Sequence, residues 1–261
     1  MQEQYLCDEA NEFGYVMGAV DWLGLSSADI VVDAIMVSTN LGDFPMIPDR
    51  LHQGMLNALL LMRVMTSDDF VQSDVMTDFT SDPATLTGAR RSDSNLRGGA
   101  APSVIDPSKR NYYGSSLGGI MGSVYMSLST DVSDGVLGVP GGPFSLLLPR
   151  SSDFAALYDI IRVRYDSALD RISMMSFLQQ RWAQLEPSGY AQYLAPGSQL
   201  PGVAKPRRVV MHYGVGDAQV NWLGAHSLAR SAGASMYASN VPVRNQTIEP
   251  GLGFPLLGDQ D

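Results

Sequence analysis

The sequence YGSSLGG at residues 113–119 decides the fold class, because it contains the spacing G-x-S-x-G with Ser116 at its centre. A short apolar segment begins at Tyr112, and a run rich in small residues follows it to about Leu128. This pattern predicts a strand that turns sharply into a helix, with Ser116 in a strained backbone conformation at the turn. Glycines at 114 and 118 lack the Cβ atoms that would otherwise collide across the turn. A Gly/Ser turn in an ordinary α/β domain is the alternative interpretation of the same residues.

Strand-like and helix-like segments alternate along the rest of the chain. Short apolar runs predict buried strands at residues 15–20, 136–139 and 209–213. Apolar residues at helical spacing predict helices at 49–65, 154–163, 169–185 and 220–231. The region 66–103 is rich in Ser, Asp, Thr and Gly, which predicts a long surface loop. We therefore expect an α/β fold with a mostly parallel sheet flanked by helices.

Composition excludes several classes of function. Acidic residues outnumber basic ones by 27 to 17, and the net charge of −10 argues against a nucleic-acid partner. Cys7 is the one cysteine, so no disulfide can form within the chain. The aspartates of the 66–103 region lack the spacing of a calcium loop. No Lys-Ser/Thr follows the glycines at 114–119, so these residues are not a phosphate-binding loop. We expect no metal site, no organic cofactor and no membrane span. No signal peptide is visible at the first residues, and the compartment stays open.

A second candidate residue for chemistry is Asp217. It follows the predicted strand 209–213 and a turn that contains Gly214 and Gly216, and a predicted helix comes after it. An acid at the end of a later strand is the position of the orienting carboxylate in a Ser-His-acid triad. The alternative interpretation is a helix cap, since Asp before a helix commonly caps it.

The G-x-S-x-G turn and the acid after a later strand resemble the α/β-hydrolase superfamily, and the resemblance extends from residue 3 to about residue 234. It implies that Ser116 is the nucleophile, Asp217 the orienting acid and the Leu117 N–H an oxyanion donor, with Gly114 and Gly118 as the glycines of the nucleophile elbow. It also implies a hydrolase core in residues 1–142 and 205–261, and a helical cap inserted at residues 143–204.

The sequence departs from the superfamily at the catalytic histidine. The superfamily places this residue after one further strand beyond the acid, whereas the three histidines here are His52, His212 and His226. We expect His52 on the helix surface, His212 packed on its strand and His226 carried away on the following helix. The opening strands of the sheet and the loop with the other oxyanion donor are also missing. We therefore expect a partial hydrolase fold, truncated at both ends, with a base from outside the sequence.

Three functions remain open. The first is a serine hydrolase that cleaves a small-molecule or lipid-like ester through a Ser116 acyl-enzyme. The second is a catalytically inactive hydrolase-like scaffold or binding protein, which the missing histidine favours. The third is a peptidase of the same fold. The oligomeric state is not indicated by the sequence.

Overall fold

The computed structural model describes residues 4–73, 76, 103–203 and 205–236. It is a mixed α/β structure, as the alternating pattern predicts. Strands β1 (Asn111–Ser115), β2 (Asp134–Gly138) and β3 (Arg208–His212) form a parallel sheet in the order β1-β2-β3. The register sets Ser115 beside Gly138 and Gly138 beside His212, so the carboxyl ends of all three strands lie at one edge of the sheet.

Ten α-helices are described with these strands. In chain order they are α1 (Gln4–Phe13), α2 (Ile30–Thr39), α3 (Met46–Met65), α4 (Asp68–Val71), α5 (Leu117–Leu128), α6 (Phe144–Leu147), α7 (Ala155–Arg164), α8 (Ala168–Trp182), α9 (Pro187–Tyr190) and α10 (Trp222–Ser231). None of the described helices is both long enough and apolar enough to cross a membrane.

The chain divides into two compact units. One contains residues 1–21 and 56–110, and the other contains residues 22–55 and 111–261, including the whole sheet. In the sheet unit α5 packs against β1 and β2. Small residues allow this close approach: a Cβ on Gly119 would lie 2.2 Å from the Gly138 carbonyl oxygen. The neighbouring Met121 and Leu137 are fully buried, which places the core between α5 and the sheet.

The predicted strand at residues 15–20 is wrong. These residues have no regular secondary structure, and Tyr15, Val16 and Met17 are about half exposed. Gly18 lies against the side chain of Met65: a Cβ on Gly18 would lie 2.3 Å from the Met65 sulfur. A strand needs a neighbouring backbone for its hydrogen bonds, and an apolar run in the sequence does not say whether one is present.

The helix α2 was not predicted. Its sequence IVVDAIMVST is rich in β-branched residues, which favour strands in isolation. The helix contacts α7 and buries Met36, whereas Ile30, Val31, Val32 and Ile35 are each more than half exposed.

The helix predicted at 49–65 is confirmed but begins at Met46, with Pro48 in the first turn, where its missing N–H removes no helical hydrogen bond. Leu51 and Met55 are buried, whereas Leu56, Leu60 and Val64 are each about half exposed. The predicted loop 66–103 begins with the short helix α4 instead, and most of the remaining segment lies outside the described residues.

Candidate functional site

The turn between β1 and α5 is built around Ser116. β1 ends at Ser115 and α5 begins at Leu117, and Ser116 between them has φ 55° and ψ −120°. A residue with a side chain rarely adopts this conformation, which costs about 1–3 kcal/mol and is found mostly at functional sites. The Ser116 N–H donates to the Gly138 carbonyl oxygen at 3.0 Å, and the Ile120 N–H donates to the Ser116 carbonyl oxygen at 2.9 Å. These two bonds fix the strained backbone between β2 and α5.

The Ser116 hydroxyl is not used by the fold. It makes no capping hydrogen bond to α5 and no other hydrogen bond within the described part of the chain. It stands beside the first N–H groups of a helix of 12 residues, which carry the positive end of the helix dipole. The Leu117 N–H is the first of these groups. A negative charge that develops beside Ser116 is stabilised there.

The glycines around Ser116 are not equally constrained. A Cβ on Gly114 would lie 2.3 Å from the Gly118 carbonyl oxygen, so Gly114 is required for the turn. At Gly118 the nearest atom to a Cβ is the Tyr112 hydroxyl oxygen at 4.0 Å, which is ordinary contact. The second tight position is Gly119, through its approach to Gly138, and the G-x-S-x-G spacing does not reveal it.

Tyr112 holds the strand to the helix beneath this turn. Its hydroxyl donates to the Gly118 carbonyl oxygen at 2.7 Å, and its ring stacks on Tyr125 with centroids 4.8 Å apart. Burial raises the pKa of Tyr112 far above its ordinary value, and the nearby Tyr125 adds to the shift. The phenol therefore stays neutral and acts as a structural donor.

A second strained residue lies at the same edge of the sheet. Val139 follows β2 and has φ 41°, which is unusual for a β-branched residue. Its N–H donates to the His212 carbonyl oxygen at 2.7 Å, which continues the contact between β2 and β3. Strained residues therefore follow two adjacent strands where their carboxyl ends meet.

Asp217 follows the carboxyl end of β3, five residues after His212. Its Oδ1 accepts the N–H groups of Gln219 at 2.8 Å and Val220 at 2.9 Å. The N-cap of α10 is Asn221, so Asp217 closes the preceding turn and is not itself the helix cap. It lines an open cleft of about 380 Å³ together with Arg150 and Arg162, and the wall of this cleft is about half polar and half apolar.

His226 is on α10, as predicted, and is engaged elsewhere. It is 7% exposed, and its Nε2 lies 2.6 Å from the Tyr213 hydroxyl oxygen. The rings of Tyr213 and Trp222 pack edge-on against the imidazole. Burial lowers the pKa of His226, and the charge of Arg230 lowers it further. The imidazole is therefore a neutral partner of Tyr213.

The expectation that His212 is packed among sheet and helices is wrong. His212 is exposed, because β3 pairs with β2 alone among the described strands and its residues alternate between exposed and half-buried. A Cβ on Gly138 would lie 3.0 Å from the His212 Nε2 and 3.3 Å from the Ser115 hydroxyl oxygen. His212 thus lies above the sheet end, toward β1. His52 is exposed on α3, as predicted.

Comparisons with known proteins give no family. No protein-family model, curated protein or solved structure matches the chain. Within the described residues there is also no group of three or more His, Cys, Asp or Glu side chains that could hold a metal ion.

Proposed function

We propose that this chain carries the nucleophile and the orienting acid of a serine hydrolase of the α/β-hydrolase type, which cleaves ester bonds. The observation that supports the proposal most strongly is the conformation of Ser116. A serine with φ 55° between a parallel strand and a helix presents a free hydroxyl beside helix N–H groups. Strain of this kind persists only where the surrounding structure enforces it.

In the proposed reaction the Ser116 oxygen attacks the ester carbonyl carbon and its proton passes to a base. The Leu117 N–H donates to the oxyanion of the tetrahedral intermediate, which collapses as the alcohol leaves with the proton. Water then attacks the acyl-enzyme and releases the acid. The base is a histidine from outside this sequence, oriented by Asp217. The substrate is a small-molecule or lipid-like ester, covered by the helices of residues 143–204.

The test is active-site labelling of the protein in its natural host. A fluorophosphonate probe should modify the peptide that contains Ser116, and the Ser116→Ala variant should lose the label. Ser115→Ala is the matched control, because it removes a neighbouring hydroxyl on the same turn and should keep the label. Labelling that persists in Ser116→Ala and disappears in Ser115→Ala contradicts the assignment.

A catalytically inactive scaffold is the second candidate. The three histidines favour this candidate. All of them are among the described residues, and none of them forms a hydrogen bond with Ser116 or Asp217. Absence of labelling in the natural host, with the protein folded, supports this second function. A peptidase is distinguished by comparing matched ester and anilide substrates, since a peptidase also hydrolyses the anilide.

A further inference from the structure

The open cleft beside Asp217 is bounded on one side by α7 and the residues before it, and on the other by the residues before α10. Its volume is about 380 Å³. This is more than twice the roughly 150 Å³ of a cavity that holds benzene, and it falls within the range of small-molecule sites. The Ser152 N–H donates to the Ala218 carbonyl oxygen at 2.8 Å, and the Gln219 amide donates to the Asp153 carboxylate at 3.0 Å. These bonds join the two sides, so the cleft is formed without a ligand.

The charged groups on the wall of this cleft are not equally engaged by the fold. They are two guanidinium groups and two carboxylates, those of Arg150, Arg162, Asp159 and Asp217. Asp159 pairs with Arg162 at 3.3 Å, and the Asp217 Oδ1 accepts two backbone N–H groups. No carboxylate pairs with Arg150 within the described residues, where it donates to the Leu146 carbonyl oxygen at 3.0 Å. The cleft therefore holds one guanidinium without a carboxylate partner.

Asn221 adds an amide donor to the same wall. Its Oδ1 accepts the Leu223 N–H at 2.9 Å as the cap of α10, and its Nδ2 has no hydrogen-bond partner in the part of the chain that the structure describes. The apolar half of the wall includes Pro149, Ala155 and the side chain of Tyr158. A few polar groups set among apolar ones are the usual composition of a small-molecule site.

We infer that this cleft binds a small organic carboxylate ion with a short apolar body. The planar carboxylate accepts from the Arg150 guanidinium, whose fork of N–H groups matches it, and from the Asn221 amide. The apolar body lies against Tyr158 and Pro149. A single negative charge fits this site better than the two of a phosphate, because one guanidinium is without a carboxylate partner and Asp217 repels a further charge. The inference goes beyond the proposed function and does not depend on Ser116.

Three probes with the same ring separate the contributions of charge and shape. Benzoate carries one negative charge, benzamide has nearly the same shape without the charge, and phenyl phosphate carries close to two charges. Each is titrated into the purified chain at pH 7.5 by isothermal calorimetry. We expect benzoate to bind at least tenfold more tightly than benzamide, and several-fold more tightly than phenyl phosphate.

Two variants remove the proposed donors. Arg150→Gln removes the charge, so it should weaken benzoate at least tenfold and leave benzamide within twofold. Asn221→Asp keeps the helix cap, since Asp caps a helix as well as Asn does. It replaces the amide donor by a carboxylate, so it should also weaken benzoate at least tenfold.

A third variant should act in the opposite direction. Asp217→Asn removes a repelling charge from the wall, so it should strengthen benzoate binding several-fold. Two matched controls on α8 are Arg181→Gln and Asp170→Asn, which make the same changes of charge at exposed side chains that do not line the cleft. Both controls should leave benzoate binding within twofold of the unchanged chain. Circular dichroism confirms that each variant is folded.

Any of four results overturns the inference. The first is no heat of binding for benzoate, which indicates that the cleft holds only solvent. The second is equal binding of benzoate and benzamide, which indicates an unselective cleft. The third is equal loss of benzoate binding in Arg150→Gln and Arg181→Gln, which indicates an effect of overall charge. The fourth is tighter binding of phenyl phosphate than of benzoate, which indicates a phosphate site.

Discussion

At the scale of single residues, the strain at Ser116 has a measurable cost. The combination φ 55° and ψ −120° is comfortable for glycine and unfavourable for any residue with a Cβ. We expect Ser116→Gly to be more stable than Ser116→Ala by about 1 kcal/mol, because only the glycine variant relieves the strain. Urea unfolding of the two variants measures the difference. Equal stability of the two would show that the turn is not strained.

The glycines nearby give a second residue-scale prediction. Gly118→Ala should be neutral or stabilise the protein by up to about 1 kcal/mol, because its Cβ has room and alanine favours the helix. Gly119→Ala should destabilise it by several kcal/mol, because its Cβ would meet a carbonyl oxygen at 2.2 Å. Thermal unfolding of both variants tests this contrast, and an unfolded Gly118→Ala contradicts it.

At the scale of elements, one buried carboxylate joins the starts of two short helices. Glu186 is fully buried; one of its oxygens accepts the Phe144 N–H at 3.2 Å at the start of α6. The other accepts the Ser188 N–H at 3.2 Å at the start of α9 and the Gln179 amide at 2.8 Å. Burial is the main influence on this group and raises the pKa of Glu186 to about 7, although the three donors oppose it.

Glu186 therefore makes stability depend on pH. Between its ordinary pKa of 4.5 and about 7 the folded protein retains a proton that the unfolded chain releases. Its contribution to the free energy of unfolding therefore falls by roughly 1–3 kcal/mol as the pH rises through this window. Above the window the contribution no longer changes with pH. Glu186→Gln should remove this slope. The pH dependence is measured by urea unfolding of both proteins at pH 5, 6, 7 and 8. Both carry Asp33→Asn, because Asp33 titrates in the same range. Equal pH dependence of stability in the protein with Glu186 and in the Glu186→Gln variant would contradict the prediction.

How far the sequence predicts these elements depends on how local their causes are. The turn at Ser116 is predictable because the spacing of glycine and serine acts within a few residues. α2 and the irregular residues 15–20 are not, because each depends on which distant segment packs against it. The exposure of His212 depends on how many strands flank β3. The cleft beside Asp217 combines side chains from residues 149–162 and 217–221, and no pattern along the chain indicates that they meet.

At the scale of the whole molecule, we expect little catalysis by this chain alone, because none of its three histidines, all of them among the described residues, forms a hydrogen bond with Ser116. We expect hydrolysis of a short-chain nitrophenyl ester by the purified chain to equal that of its Ser116→Ala variant. A serine without a base loses on the order of a millionfold in turnover. Initial rates of both proteins, measured side by side, test this.

The His212→Ala variant is the control for that experiment. His212 is the described histidine that lies toward β1 at the sheet end, so it is the residue able to act if the turn moves. Robust turnover that requires both Ser116 and His212 would show that the base is within the sequence, and our assignment of an external histidine would then be wrong.

The parallel register also governs how this molecule folds after synthesis. β2 pairs residue 134 with residue 208, so the third strand joins the sheet only after the whole intervening helical segment has left the ribosome. Pairing between such distant parts of a chain is slow, because a long loop must close before any contact rewards it. The helices α7 and α8 can form their local contacts during this delay. Until β3 docks, one edge of β2 has no neighbouring strand. We expect the nascent protein to need a chaperone most during this interval.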